Sequence, residues 1–352
     1  MKRSLVSIGV ICAALLTSCT TIKAHLMARA ATNGLYSIAS YEAQVTERGL
    51  LRREPGVPVV KTVIYERPWK VRAEVVAPAE HAGELFVFDG ETMSIWWPQS
   101  RIGLRIRGLE IPGRREVAGV MLESFTWVLG HYDLDDEGPG HRAGRDVEHW
   151  RCDPIAEAPL IKPYDAWLDV ENLMPLQVSI KNAQGGEWYG MEFDSIDLGA
   201  VIPPGAFRFE FPEDAMVFDC DLGSPGVTIA EAQELVTFPI LQPAELPEGH
   251  SVHKVILGGD LEAAPIVALL MPKGARWLSL SEMLNRGPAN LPAVGIPVPI
   301  GDGEGVLNFA FGFTILSWPV ENTSLTLIGN LPYPEMIAIA ASVPPVSSGP
   351  AK

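Results

Sequence analysis

The chain has 352 residues, 47% of them hydrophobic, and sets 27 Lys+Arg against 43 Asp+Glu for a formal charge of −16. That balance repels phosphate backbones, and no Lys/Arg cluster offsets it, so nucleic acid and electrostatic binding to anionic lipid are disfavoured as main functions. Beyond Cys19 no uncharged apolar run of ~18 residues recurs, so nothing later in the sequence reads as a membrane span.

The amino end carries Lys2 and Arg3, then an uncharged run from Leu5 to Leu16, then Thr17-Ser18-Cys19. A basic start and an apolar stretch short of the ~20 residues that cross a bilayer make a secretory signal. The small-small-Cys ending resembles a bacterial lipoprotein signal, in which cleavage precedes the Cys and its thiol carries a diacylglycerol. Residues 1–18 are therefore expected to leave, Cys19 to be lipidated, and 19–31 to act as a tether. The alternative is an ordinary secretory signal, or an uncleaved anchor, that happens to contain Cys19. Loss of Lys2 and Arg3 takes the charge to about −18. Thr20 stands where an Asp would signal inner-membrane retention, which favours the periplasmic face of an outer membrane, or the outer face of the cytoplasmic membrane if there is only one.

Two regions follow, with a Pro/Gly/Asp-rich seam near Gly223-Ser224-Pro225-Gly226. The expected domains are 32–222 and 226–343, followed by a disordered tail at 344–352. In the first region, 32–47 and 115–130 read as helices, the second because Val117, Val120, Met121, Phe125 and Val128 recur at spacings of three and four. Strands alternate at 62–67 and 69–75, and 85–97 reads as a hairpin turning at Gly90-Glu91. That register puts Phe86, Phe88, Met93, Ile95 and Trp97 on one face. Further strands are expected at 144–152, 166–170, 175–181 and 187–196. The second region offers a helix at 229–236, strands at 252–257, 266–271, 305–310, 314–318 and 324–328, and a closing helix at 333–342. The fold class is thus α+β, mainly β: a curved sheet with helical cover, then a smaller α+β domain.

Chemistry is thinly supported. Asp133 to Gly138 begins like a calcium loop, but Gly144 stands at the twelfth position where a bidentate Glu belongs, so an exposed acidic turn is the better reading. Gly301-Asp302-Gly303-Glu304-Gly305 lacks the Lys and helix of a phosphate loop and reads as a hairpin turn. No nucleophile elbow or HExxH pattern occurs, His131, His141 and His149 read as surface imidazoles, and Asp194 and Asp197 as solvated side chains. No catalytic residue, metal or cofactor is expected, and the chain does not read as an enzyme. Cys152 and Cys220 are a disulfide candidate in an oxidising compartment, with two separate buried thiols carrying equal weight.

In order along the chain come Phe88-Asp89-Gly90-Glu91-Thr92 with Trp96-Trp97, then Ala143-Gly144-Arg145-Asp146-Val147, Trp167 to Glu171 with Met174-Pro175-Leu176, and Phe193 to Asp197. Ile202 to Phe207 and Phe211-Pro212-Glu213 complete the series. This order resembles the LolA/LolB superfamily of lipoprotein carriers and its relative RseB, an envelope-stress regulator, over about 180 residues. The second region loosely resembles a small uncharacterised domain found after envelope sensor modules. The resemblance implies an incomplete antiparallel β-barrel with a helical lid around a hydrophobic cavity, which agrees with the periodicity. Phe86, Phe88, Met93, Ile95, Trp97, Val120, Met121 and Phe125 are the candidate pocket residues. The expected function is a membrane-anchored envelope lipoprotein that takes an acyl chain or another lipoprotein as ligand. The alternative is a regulatory sensor that binds an anti-sigma factor or another envelope protein and transports no lipid.

Overall fold

The computed structural model describes residues 33–34, 36–49, 56–108, 130–156, 162–182, 184–260, 264–271, 276, 278–284, 295–310 and 313–344. The expected signal, Cys19, the tether, the tail beyond 344, and the helix bearing Val120, Met121 and Phe125 lie outside them.

The first region is one open sheet of twelve strands. In chain order these are β1 (Ser40–Arg48), β2 (Val59–Glu66), β3 (Lys70–Ala77), β4 (Leu85–Phe88), β5 (Met93–Trp97), β6 (Ile102–Arg107), β7 (Tyr132–Arg142), β8 (Arg145–Pro154), β9 (Tyr164–Asp169), β10 (Pro175–Lys181), β11 (Glu187–Leu198) and β12 (Met216–Asp221). Spatial order runs β12-β6-β5-β4-β3-β2-β1-β11-β10-β9-β8-β7, so β1 sits at the centre against β2 and β11. All pairs are antiparallel except β12 on β6. With β12 and β7 as its edges the sheet does not close into a barrel.

Two expectations are corrected, and one of two open readings is chosen. Residues 40–48 form the central strand β1 instead of a helix. Leu35, Ile38, Tyr41 and Val45 imitate helical spacing, while the strand in fact buries Tyr41, Val45 and Glu47 on alternate positions. Residues 133–138 belong to the edge strand β7, not to an acidic turn; beyond Tyr132 its residues are exposed or half-buried on both faces, so no apolar alternation marks it. Cys152 and Cys220 are both buried and both free. They sit on β8 and β12, near opposite edges of the sheet, and burial pushes each thiol up to about 11.

The 85–97 hairpin turns where its sequence indicates. Phe88 pairs with Met93 and Phe86 with Ile95. Asp89 closes the turn by accepting from the backbone N–H of Glu91 (2.9 Å) and Thr92 (2.8 Å), and Gly90 takes φ +106, a region open to a residue without Cβ.

The second region is an antiparallel seven-stranded sheet. Its strands are β13 (Lys254–Asp260), β14 (Ala264–Leu270), β15 (Leu278–Leu284), β16 (Ile296–Ile300), β17 (Gly303–Ala310), β18 (Phe313–Val320) and β19 (Thr323–Gly329), in the spatial order β13-β14-β15-β19-β18-β17-β16. Gly301-Asp302 turns β16 into β17. β16 carries Pro297 and Pro299, tolerated because it is an edge. Two helices accompany the sheet, α1 (Ile229–Leu235) and α2 (Tyr333–Ala341). Thr228 and Glu231 form a reciprocal capping box at the start of α1. The apolar face of α2, Met336, Ile337, Ile339 and Ala340, joins Leu280, Leu316, Leu325 and Leu327 in one core.

The two regions are not separate cores. Val59, Val75 and Tyr189 of the first sheet belong to the same buried cluster as the second sheet and α2. Cys220 of β12 packs with Ile256 and Ala268, Val227 bridges Val255, and Lys254 Nζ donates to the carbonyls of Leu222 (2.6 Å) and Ser224 (3.2 Å). The second region therefore packs on the first sheet at two places, the Val59, Val75 and Tyr189 end of β1, β2, β3 and β11, and the edge strand β12. Among the described residues no helix is long and apolar enough to cross a membrane.

Candidate ligand-binding wall

Paired antiparallel residues share a face, so the register tells the sides of the first sheet apart. On one side of β4 and β5, Leu85, Val87 and Trp96 are buried under the segment 202–215, with Phe207 buried and Ile202, Ala206, Phe209, Phe211 and Ala215 packed against them. Trp96 meets Phe211 edge-on at 6.0 Å, and Phe211 meets Phe209 at 5.0 Å. Gly103 makes room for this segment, since a Cβ there would lie 2.3 Å from the Phe211 ring. The resembling motifs Ile202 to Phe207 and Phe211 to Glu213 thus have a mechanical role, sealing this side with aromatic rings.

The opposite side carries the wall. Phe86, Phe88, Met93 and Ile95 cluster with Ile106, Leu104, Trp69 and Leu222; Phe88 and Met93 are buried, while Phe86 and Ile95 are only half-buried. Trp97, two residues after Ile95 and paired with Ile102, falls on the same side and is half-buried. All five hairpin residues nominated from sequence therefore share one face. Along β2 and β1 the same face continues through Val63, Tyr65, Tyr41, Ala43 and Val45 and meets Phe193. Tyr41 stacks on Tyr65 at 5.2 Å, and burial raises both phenols.

A polar group interrupts this apolar surface near the second region. Glu47, paired with Val59 at the far end of β1, forms an ion pair with Lys61 and accepts from Tyr189 Oη at 2.9 Å. Burial first and the neighbouring carboxylate second hold the Tyr189 phenol well up. Both carboxylate oxygens are satisfied, which is what lets a charge persist there. Sequence reading missed this group because Glu47 closes the expected helix 32–47 and Lys61 falls just before the expected strand 62–67.

On the sealed side an open groove of about 570 Å³ crosses β2, β1 and β11, lined by Glu42, Gln44, Thr62, Ile64, Ser195 and Asp197 among others. Its lining mixes acidic, amide and hydroxyl groups with the apolar Ala43, Val63, Ile64 and Ile196. Asp194 nearby is exposed and accepts from Thr46 Oγ1 at 2.7 Å. Asp169, reached from the Trp167 to Glu171 motif, is 1% exposed; it pairs with Arg145 and accepts from the N–H groups of Glu171 (2.9 Å) and Asn172 (3.1 Å). That carboxylate organises the β9–β10 turn. His149 stacks on Trp167 at 4.3 Å and contacts Asp165 at 3.1 Å.

The architecture defines a mainly β, α+β protein of two joined open sheets with few helices. No family model and no curated protein matches the sequence. Among solved structures, the Pseudomonas aeruginosa MucA/MucB complex is 15% identical at a TM-score of 0.41, covering 90% of this chain and 99% of that one. The Mycobacterium tuberculosis lipoprotein LppX is 11% identical at 0.34, covering 51% and 97%, and a LolA superfamily protein from Nitrosomonas europaea is 13% identical at 0.23, covering 49% and 90%. At these scores and identities the likeness assigns no function to the chain.

Proposed function

We propose that this chain is a membrane-anchored envelope lipoprotein that binds acyl chains, free or on another lipoprotein, along the apolar wall of its first sheet. The observation that carries the reading is the asymmetry of the 85–97 hairpin. One side is sealed by the Phe207, Phe209 and Phe211 segment, and the other presents Phe86, Ile95 and Trp97 only half-buried. Aromatic and aliphatic surface left incompletely covered on a rigid sheet is the kind of lining that takes hydrocarbon. The short apolar run ending at Cys19 supplies the anchor, because several chains buried in one leaflet hold far more firmly than one. The tethered protein would work at the cell envelope, on the periplasmic face of an outer membrane or, in a cell with one membrane, outside it.

The test is native mass spectrometry of protein expressed without its signal, together with uptake of a fluorescent fatty acid. The expected result is saturable uptake that Ile95→Asp weakens at least tenfold without unfolding the protein. A folded protein that takes up no probe would overturn the reading, and recovery of an envelope protein in a pull-down, with no bound lipid, would support the sensor alternative. Labelling of the full chain with a radioactive fatty acid, lost on Cys19→Ala, tests the anchor separately.

A further inference from the structure

Glu282 occupies the middle of the second sheet in an unusual setting. It lies on β15, directly between Val267 of β14 and Leu325 of β19, and is 0% exposed. Leu278 and Leu280, which share its side of β15, are core residues. Its Oε2 accepts from the backbone N–H of Leu241 at 2.9 Å, and its Oε1 meets no hydrogen-bond partner among the described residues.

Leu241 belongs to a strap, residues 236–246, whose Val236, Phe238 and Leu241 are buried in the same core. The strap is tied at both ends. Gln233 of α1 donates to the Phe238 carbonyl (2.9 Å) and accepts from the Ile240 N–H (2.9 Å), while Ala244 N–H donates to the Ser342 carbonyl (3.1 Å) and Glu245 N–H to Ser342 Oγ (3.2 Å). Between these ties, the bond to Glu282 fastens the middle of the strap to the sheet.

We propose that Glu282 is an alkaline-sensitive latch, which holds the strap on the second sheet while its carboxyl is protonated and releases it when the carboxyl ionises. Ionisation would strengthen the Leu241 N–H bond yet leave the charge in an apolar core, and because burial is the larger effect, lifting the strap to bring water to it is favoured. Among the described residues no neighbour offsets that charge. β14 and β19 carry no titratable side chain, β15 has no other, α2 contributes Glu335 and Tyr333, and the strap contributes Glu245. None of these acts on the carboxyl, whose proton affinity is set by burial, which raises it to about 8, and by the Leu241 N–H, which lowers it.

Hydrogen exchange of the 236–246 peptide between pH 6 and 9, corrected for intrinsic exchange, tests the latch. The wild type is expected to lose protection about tenfold between pH 7 and 9, as a single group titrating near 8 requires, while Glu282→Gln, which still accepts from Leu241 but cannot ionise, stays flat. Parallel curves for the two proteins would overturn the proposal. If the variant does not fold, carbon NMR of 13C-labelled wild-type protein decides: a Glu282 carboxyl that titrates in the ordinary carboxylate range removes the latch, and one that titrates near 8, together with the loss of strap protection, supports it.

Discussion

The two sheets differ in how completely they use their apolar residues. Among the largest side chains that are fully buried, Leu176 comes from the first region, and the rest, from Ile256 to Met336, come from the second. The second sheet packs into one continuous core with α2 and the strap, whereas the first divides its apolar residues among smaller clusters edged by half-buried side chains. The second region is built as a filled scaffold and the first as a wall, and the shared cluster at Val59, Val75 and Tyr189 lets the scaffold brace the wall.

The sharpest way to break this comparison is to empty the scaffold. Leu327→Ala, at a fully buried position in the shared core, is expected to cost about 2–5 kcal/mol. Denaturant unfolding followed by two probes should stay a single transition, because the core crosses both regions; a first region that melts on its own would separate them. Next comes Lys61→Met, which strands Glu47 beneath the second region and is expected to cost on the order of 3 kcal/mol. A loss below ~0.5 kcal/mol would make the ion pair a surface contact.

pH sharpens the picture further. The Glu282 proton affinity is raised in the folded state, so the fold binds a proton there that the unfolded chain has already released above the ordinary carboxylate range. Stability should therefore fall as pH rises from about 4.5 to about 8, by about 5 kcal/mol at most. Glu282→Gln should remove that slope in denaturation curves at successive pH values. The smallest effect is expected from Thr228→Ala, which removes the α1 capping box and should cost about 1 kcal/mol in thermal unfolding.

Legibility followed the same division. Strands with one solvated side announced themselves by alternation, as in β2 and β3, while the Asp89-Gly90 turn located the 85–97 hairpin, whose five residues fell on one face as read. Strands whose pattern is broken by a residue with a structural task did not. β1 hides behind small Ala43 and buried Glu47, β15 puts Glu282 where the third apolar residue of Leu278-Ser279-Leu280 would stand, and β16 alternates with two prolines. β7 is exposed and acidic, so nothing in its composition separates it from a turn. The groups that sequence missed, Glu47 with Lys61 and Glu282 with Leu241, are buried charges or carboxyls, and only three-dimensional pairing distinguishes these from surface residues.

The central claim is that the half-buried side of the hairpin takes hydrocarbon while the sealed side does not. Tryptophan quenching by brominated fatty acids reads it directly, because Trp96 and Trp97 are adjacent in sequence and point to opposite sides. We expect quenching that Trp97→Phe diminishes and Trp96→Phe leaves in place; quenching that is absent, or that disappears with Trp96 instead, would contradict the account.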